Sequence, residues 1–149
     1  PSASSAASDV YKRQELSIAL CPAGERLLET KLQGSAFAKV IEDVWRHDIG
    51  ELSLPIAVAL AAKNQSIEQD FILPAYLHAF CSNLVSVAIR LIPIGQTEGQ
   101  RIMLGLSSKI SDLVQSASES EIGDLNSACF FSDVSAMEHE HLQPRVFKT

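Results

Sequence analysis

Apolar positions recur along the chain at helical spacing. Between Pro22 and Arg46, Phe37, Val40, Ile41, Val44 and Trp45 follow one another at steps of three and one, which puts them on one helical face. Gly34 interrupts that helix at a cost of about 1 kcal/mol, a cost that close packing against a neighbour would repay. His47 to Gly50 reads as a break. Ser53 then caps a helix over Leu54 to Lys63, with Pro55 in the first turn, where a missing amide proton costs little. Asn64 and Gln65 end that helix, and Ser66 with Gln69 fits a capping box for the next, which Pro74 should kink or restart.

The next two segments carry the strongest periodicity. Leu77, Phe80, Cys81, Leu84, Val85, Ala88 and Leu91 form a continuous stripe that Pro93 and Gly95 stop. A second stripe of Ile102, Met103, Leu106, Ile110, Leu113, Val114 and Ala117 follows, so the pair predicts an antiparallel helical hairpin. A last helix is expected from Asp124 to Glu138, with Leu125, Ala128, Cys129, Ser132 and Ala136 facing inward and an acidic start that suits the helix dipole; Pro144 stops its extension. No segment alternates apolar and polar positions in the manner of a strand, and no fixed-period repeat is present. The expected class is all-α, a single-domain helical bundle of about five to seven helices with an extended C-terminal tail.

The first fourteen residues, PSASSAASDVYKRQ, show neither periodicity. Their Ser and Ala content and their resemblance to translated sequencing adapter predict a non-native, disordered segment over 1–14, ahead of a helical domain over 15–137 and a tail over 138–149. Residues 15–149 carry ten Lys and Arg against seventeen Asp and Glu, a net charge of −7.

Composition narrows the function classes. With 46% apolar and 20% charged residues the chain is close to the globular average of about 45–50% and 25%, which argues against wholesale disorder. The whole chain has a net charge of −6 and no basic stripe, so nucleic acid is a poor candidate partner. Cys21, Cys81 and Cys129 are odd in number and widely spaced, which favours a reducing compartment, the cytoplasm, over a disulfide framework or a zinc site. The longest apolar stretch considered, Leu84 to Ile94, falls short of the roughly 20 residues a bilayer requires, so no membrane span is expected.

Two strings stand out for their chemistry. In IPIGQTEGQR, Ile92 to Arg101, the plainest reading is an interhelical turn, yet Gln96 and Gln100 lie one helical turn apart beside Gly95, Gly99 and Arg101, a spacing at which amides can recognise backbone. In HEHLQPRVFKT, His139 to Thr149, imidazoles and a carboxylate suit nickel or zinc. On a helix, however, His139 and His141 point about 200° apart and could share an ion only if the segment were extended. They are weak candidates, and no metal site is assigned. Arg145, Phe147 and Lys148 supply a basic, aromatic end of the kind that anchors protein interfaces. Glu25, Arg26 and Glu29 fit a solvated helix face better than an acid/base set. No HExxH, Gly-rich phosphate loop or GxSxG is present, and no catalytic residue is assigned.

These strings resemble the UreF family. Its Pro-Leu-Gly-Gln-x-x-Gly-Gln-Arg segment, preceded by an Arg, is matched by Arg90, Pro93, Gly95, Gln96, Gly99, Gln100 and Arg101, with Ile94 in place of the usual Leu. Its ending His-Glu-x-x-Tyr-x-Arg-Leu-Phe-Arg-Ser is similar to the tail through His139, Glu140, Arg145 and Phe147, while Gln143, Val146, Lys148 and Thr149 depart from it. ERLLETKLQGSAF follows a third family pattern through Glu25, Arg26, Glu29, Gln33, Gly34, Ala36 and Phe37. The family's usual amino-terminal portion is not matched, so a fragment is expected. The resemblance implies a non-enzymatic urease accessory protein, a homodimeric scaffold in a complex of UreD (also called UreH), UreF and the GTPase UreG that assists GTP-dependent nickel delivery to apo-urease. It implies UreD docking at His139, Glu140, Arg145, Phe147 and Lys148, and no cofactor bound directly, nickel being handled by the complex. Two other readings stay open at this point: a nickel-binding module using His139 and His141, and a direct regulator of UreG hydrolysis through Arg101 or Arg145.

Overall fold

The computed structural model describes residues 3–126 and 129–143, with side chains from residue 8 onward. Its elements are α1 (Ala3–Ala19), α2 (Gly24–Trp45), α3 (Leu54–Asn64), α4 (Gln69–Leu91), α5 (Gln96–Glu119), a 3-10 turn (Ile122–Asp124) and α6 (Phe130–His139). The described residues contain no strand, in agreement with the all-α class, and the six α-helices among them fall within the expected number. The chain divides into two compact units, one built from α1, α2, α3 and α6, the other from α4, α5 and the 3-10 turn.

In the first unit α2 packs on α3. Ile41, Ile49, Ala57 and Ala61 are buried together, with Phe37, Ala38, Leu52 and Leu60 against them. The small residues of α3 let the two backbones approach closely. A Cβ built at Gly34 would lie 1.9 Å from the carbonyl oxygen of Leu52, so only glycine fits there. The apolar face predicted for α2 is split by this geometry. Phe37 and Ile41 turn inward, whereas Val40, Val44 and Trp45 remain exposed, because the short, narrow α3 covers only one line of the face.

The break after α2 is a left-handed Arg46, whose N–H closes on the Glu42 carbonyl at 2.9 Å, followed by Gly50 at φ 71°, whose N–H donates to Asp48 Oδ1 at 2.8 Å. Ser53 sits at the N-cap of α3 as expected, but its own side chain does not cap the helix. It is fully buried, and both its N–H and its hydroxyl donate to Gln14 Oε1 at 3.0 Å. The Ser17 hydroxyl lies 2.8 Å from that of Ser53, and the N–H of Leu54 donates to Thr30 Oγ1 at 3.3 Å.

Those contacts correct the expectation of disorder over 1–14. α1 is helical from Ala3, and Gln14 supplies an acceptor to the start of α3. Ala is the strongest helix former, and an element that meets its neighbour through polar contacts leaves no apolar stripe to read.

In the second unit α4 and α5 pack against each other across the short turn at 92–95, the expected antiparallel hairpin. The capping box at Ser66 and Gln69 does not form. Ser66 has φ 54°, outside the extended region an N-cap requires, and α4 starts at Gln69 with Glu68 at the cap. Pro74 lies within a helix that continues to Leu91 rather than restarting. By length and composition α4, with 23 residues and a mean hydropathy of 1.6, is long and apolar enough to cross a membrane; the stretch considered from the sequence was too short to register this. One side of it is occupied by α5: Gly99, Met103 and Ile110 are buried there, and a Cβ at Gly99 would come 2.5 Å from Ile89 Cδ1. Phe80, Leu84 and Leu91 of the predicted α4 stripe, and Ile102 and Leu113 of the α5 stripe, are exposed.

The last helix starts later than expected. Around Glu121 to Asp124 the side chains bond to nearby backbone, Asp124 Oδ2 accepting the N–H of Glu121 at 2.8 Å, and such local bonds compete with helix formation. α6 begins only at Phe130. Leu125, Cys129 and Ser132, expected to face inward, are exposed, Ala136 is half-buried, and Ala128 lies outside the described residues.

Candidate functional site

The first turn of α2 begins with Gly24, Glu25 and Arg26, and its N-cap, Ala23, has no side chain able to accept from the free amides. The acceptor comes from the end of α6. Glu140 Oε1 takes the N–H of Glu25 at 3.1 Å, a carboxylate placed where the helix dipole favours negative charge. Gly24 permits this approach, since a Cβ there would lie 3.2 Å from the same oxygen. His139 Nδ1 lies 2.6 Å from Glu25 Oε2, both side chains being about three-quarters covered (29% and 26% exposed). At the other end of α6, Arg26 Nη2 donates to Ser132 Oγ at 2.5 Å. Glu29 and Gln33 of the same family pattern bond to each other along α2 at 3.0 Å.

Two strings about 110 residues apart in sequence thus meet in one cluster, Glu25 and Arg26 with His139 and Glu140. His141 is exposed, and among the described residues no group of three or more His, Cys, Asp or Glu is placed to hold a metal ion. Arg145, Phe147 and Lys148 lie outside the described residues. Of the residues that complete the cluster, Gly24 was not singled out from the sequence and Ser132 was read only as an inward-facing helix position. A serine on a short helix and a glycine at a helix start carry no signal until the partner is known.

The second string forms the turn between α4 and α5. Gly95 is the N-cap of α5, and Gly99, whose N–H donates to the Gly95 carbonyl at 3.1 Å, is the contact point with Val85 and Ile89 of α4. Gln96, Gln100 and Arg101 are exposed on α5, with Arg101 paired to Glu98 at 3.0 Å. Arg90 donates to Ser86 Oγ at 3.0 Å within α4. Pairs this exposed contribute little to stability, so these side chains leave their polar groups accessible at the surface. Also on α4, burial pushes the Tyr76 hydroxyl above its ordinary 10.0.

The family model of UreF matches residues 2–107. The chain belongs to the UreF family. The urease accessory protein UreF of Roseobacter denitrificans is 41% identical over 141 residues, covering 95% of this chain and 64% of its own length. That of Cereibacter sphaeroides is 40% identical over 135 residues, covering 91% and 64%. That of Jannaschia sp. is 36% identical over 148 residues, covering 99% of this chain and 67% of the relative, so its match, like that of the family model, reaches into residues 1–14. This UreF-family chain spans about 64% of the length of the first two of these relatives.

Proposed function

We propose that this UreF-family chain acts as a non-enzymatic scaffold in urease maturation, in the cytoplasm. It binds UreD (UreH) and, as a homodimer, presents the complex to the GTPase UreG for GTP-dependent nickel delivery to apo-urease. Nickel is the cargo of that complex, and no cofactor, nucleic acid or membrane is part of this reading. The observation that carries it is the identity of 41% to a urease accessory protein UreF over 95% of the chain.

UreD docks at the C-terminal end, through Arg145, Phe147 and Lys148 with the neighbouring surface of His139 and Glu140. Arg and aromatic side chains are the usual anchors of interfaces, and burying one Phe is worth about 1.5–3 kcal/mol. In the test, the full chain and a version ending at Gln143 are compared for co-purification with UreD. The shortened version is expected to lose UreD; equal recovery of UreD by both would refute the tail assignment.

A further inference from the structure

α6 has only 10 residues, and none of them is buried. A helix of that length is marginal in water by itself, and most helices are held by an apolar face packed against a neighbour. Here only Asp133, Val134, Ala136 and His139, with Glu140 at the C-cap, are partly covered, while Phe130 and Phe131 are 71% and 86% exposed. Two small or medium apolar side chains give a narrow face, and polar contacts add to it. They act at both ends: Arg26 holds Ser132 near the start, and Glu25 holds His139 and Glu140 at the finish.

We infer that Glu25, Arg26, His139 and Glu140 form a clasp that positions the C-terminal tail for its partner, with Glu25 as the central positioning residue. Glu25 is engaged through both its side chain and its backbone. Its carboxylate faces the imidazole of His139, and its backbone N–H donates to Glu140. His139 and Glu140 are the second and third residues of the tail, 138–149. Fixing Glu140 fixes the origin of that tail. A short segment tethered at a fixed point searches a small volume, which raises its effective concentration at a partner surface. Without the clasp the same tail starts from a helix that is no longer held, and part of the binding free energy goes into ordering it.

The inference rests on the proposed docking of the tail to UreD, and the experiment separates the two. Four versions of the full chain are compared: the parent, Glu25→Ala, the exchange Glu25→His with His139→Glu, and a version ending at Gln143. Two quantities are read, amide hydrogen exchange along the chain and capture of UreD. Glu25→Ala removes the carboxylate that faces His139 and keeps the amide that donates to Glu140; it is expected to speed exchange in α6 by about tenfold or more while leaving the buried part of α2 around Ile41 unchanged, since local openings are independent of the core. It is also expected to weaken UreD capture by about tenfold, with partial recovery of both readouts in the exchange variant, which restores an opposed pair. Unchanged α6 exchange in Glu25→Ala overturns the clasp. Accelerated exchange with parental UreD capture, in a system where the version ending at Gln143 has lost UreD, overturns the positioning role but leaves the docking reading standing. Capture unaffected by the shortened end removes the docking reading and the inference with it.

Discussion

Single residues set the closest approaches in this molecule, and two glycines do so by different means. At Gly34 the obstacle to a side chain is the backbone carbonyl of Leu52, 1.9 Å from a built Cβ, which can yield only if α2 separates from the chain leading into α3. At Gly99 it is the far end of the Ile89 side chain, 2.5 Å away, which can turn to another rotamer. Gly34→Ala is therefore expected to destabilise the first unit by about 1–3 kcal/mol or more, the range for overpacking. Gly99→Ala should lie within about 1 kcal/mol of the parent, its steric cost offset by the helix propensity that alanine adds. Urea unfolding of the two variants, followed by circular dichroism, checks the order. Tyr76 provides a pH test. Its hydroxyl ionises at higher pH in the folded chain than in the unfolded one, so its contribution is intact below about pH 10 and is lost as pH rises through the folded value. The parent's unfolding midpoint should drop more steeply above pH 10 than that of Tyr76→Phe; parallel curves would remove Tyr76 as the cause.

Among the elements, periodicity located the helices well and their inward faces less well. α2, α4 and α5 lie where the stripes placed them, and α3 lies where Ser53, Pro55 and Asn64 bounded it, because Pro, Gly and capping residues between the segments leave little choice of boundary. The stripes were wider than the surface available to cover them. In the α4–α5 hairpin each helix has one neighbour within its unit, so Gly99, Met103 and Ile110 are buried while Phe80, Leu84 and Leu113 are not. Met103→Ala and Ile110→Ala should accordingly cost about 2–5 kcal/mol. Phe80→Ser and Leu84→Gln should change stability by no more than about 0.5 kcal/mol. Thermal unfolding of the four variants distinguishes the two groups, and a large loss at Leu84 would show that its face is covered. α1 and the start of α6 were the elements least legible in the sequence, since contacts such as Gln14 with Ser53 and Arg26 with Ser132 are polar and polar contacts have no period.

For the molecule as a whole, three short strings in the expected order were enough to reach the family, which the match over residues 2–107 then showed. The strings did not reveal that the first and third meet. Glu25 and Arg26 read as a solvated helix face and His139 with Glu140 as a polar helix end, and only the return of α6 to α2 puts them in contact. The core of the first unit lies at Ile41, Ile49, Ala57 and Ala61, well apart in sequence from the tail. Ending the chain at Gln143 should therefore leave its unfolding midpoint unchanged while UreD capture is lost, a separation of folding from binding that calorimetry and co-purification check together. The bond between Gln14 and Ser53 bears on how the protein can be dissected. Judged by pattern, Glu15 looks like the natural place to begin a minimal fragment. A fragment begun there keeps Ser17 for the hydroxyl of Ser53 but removes the acceptor of its buried N–H, so the cut belongs upstream of Gln14, in a stretch that carries no visible pattern at all.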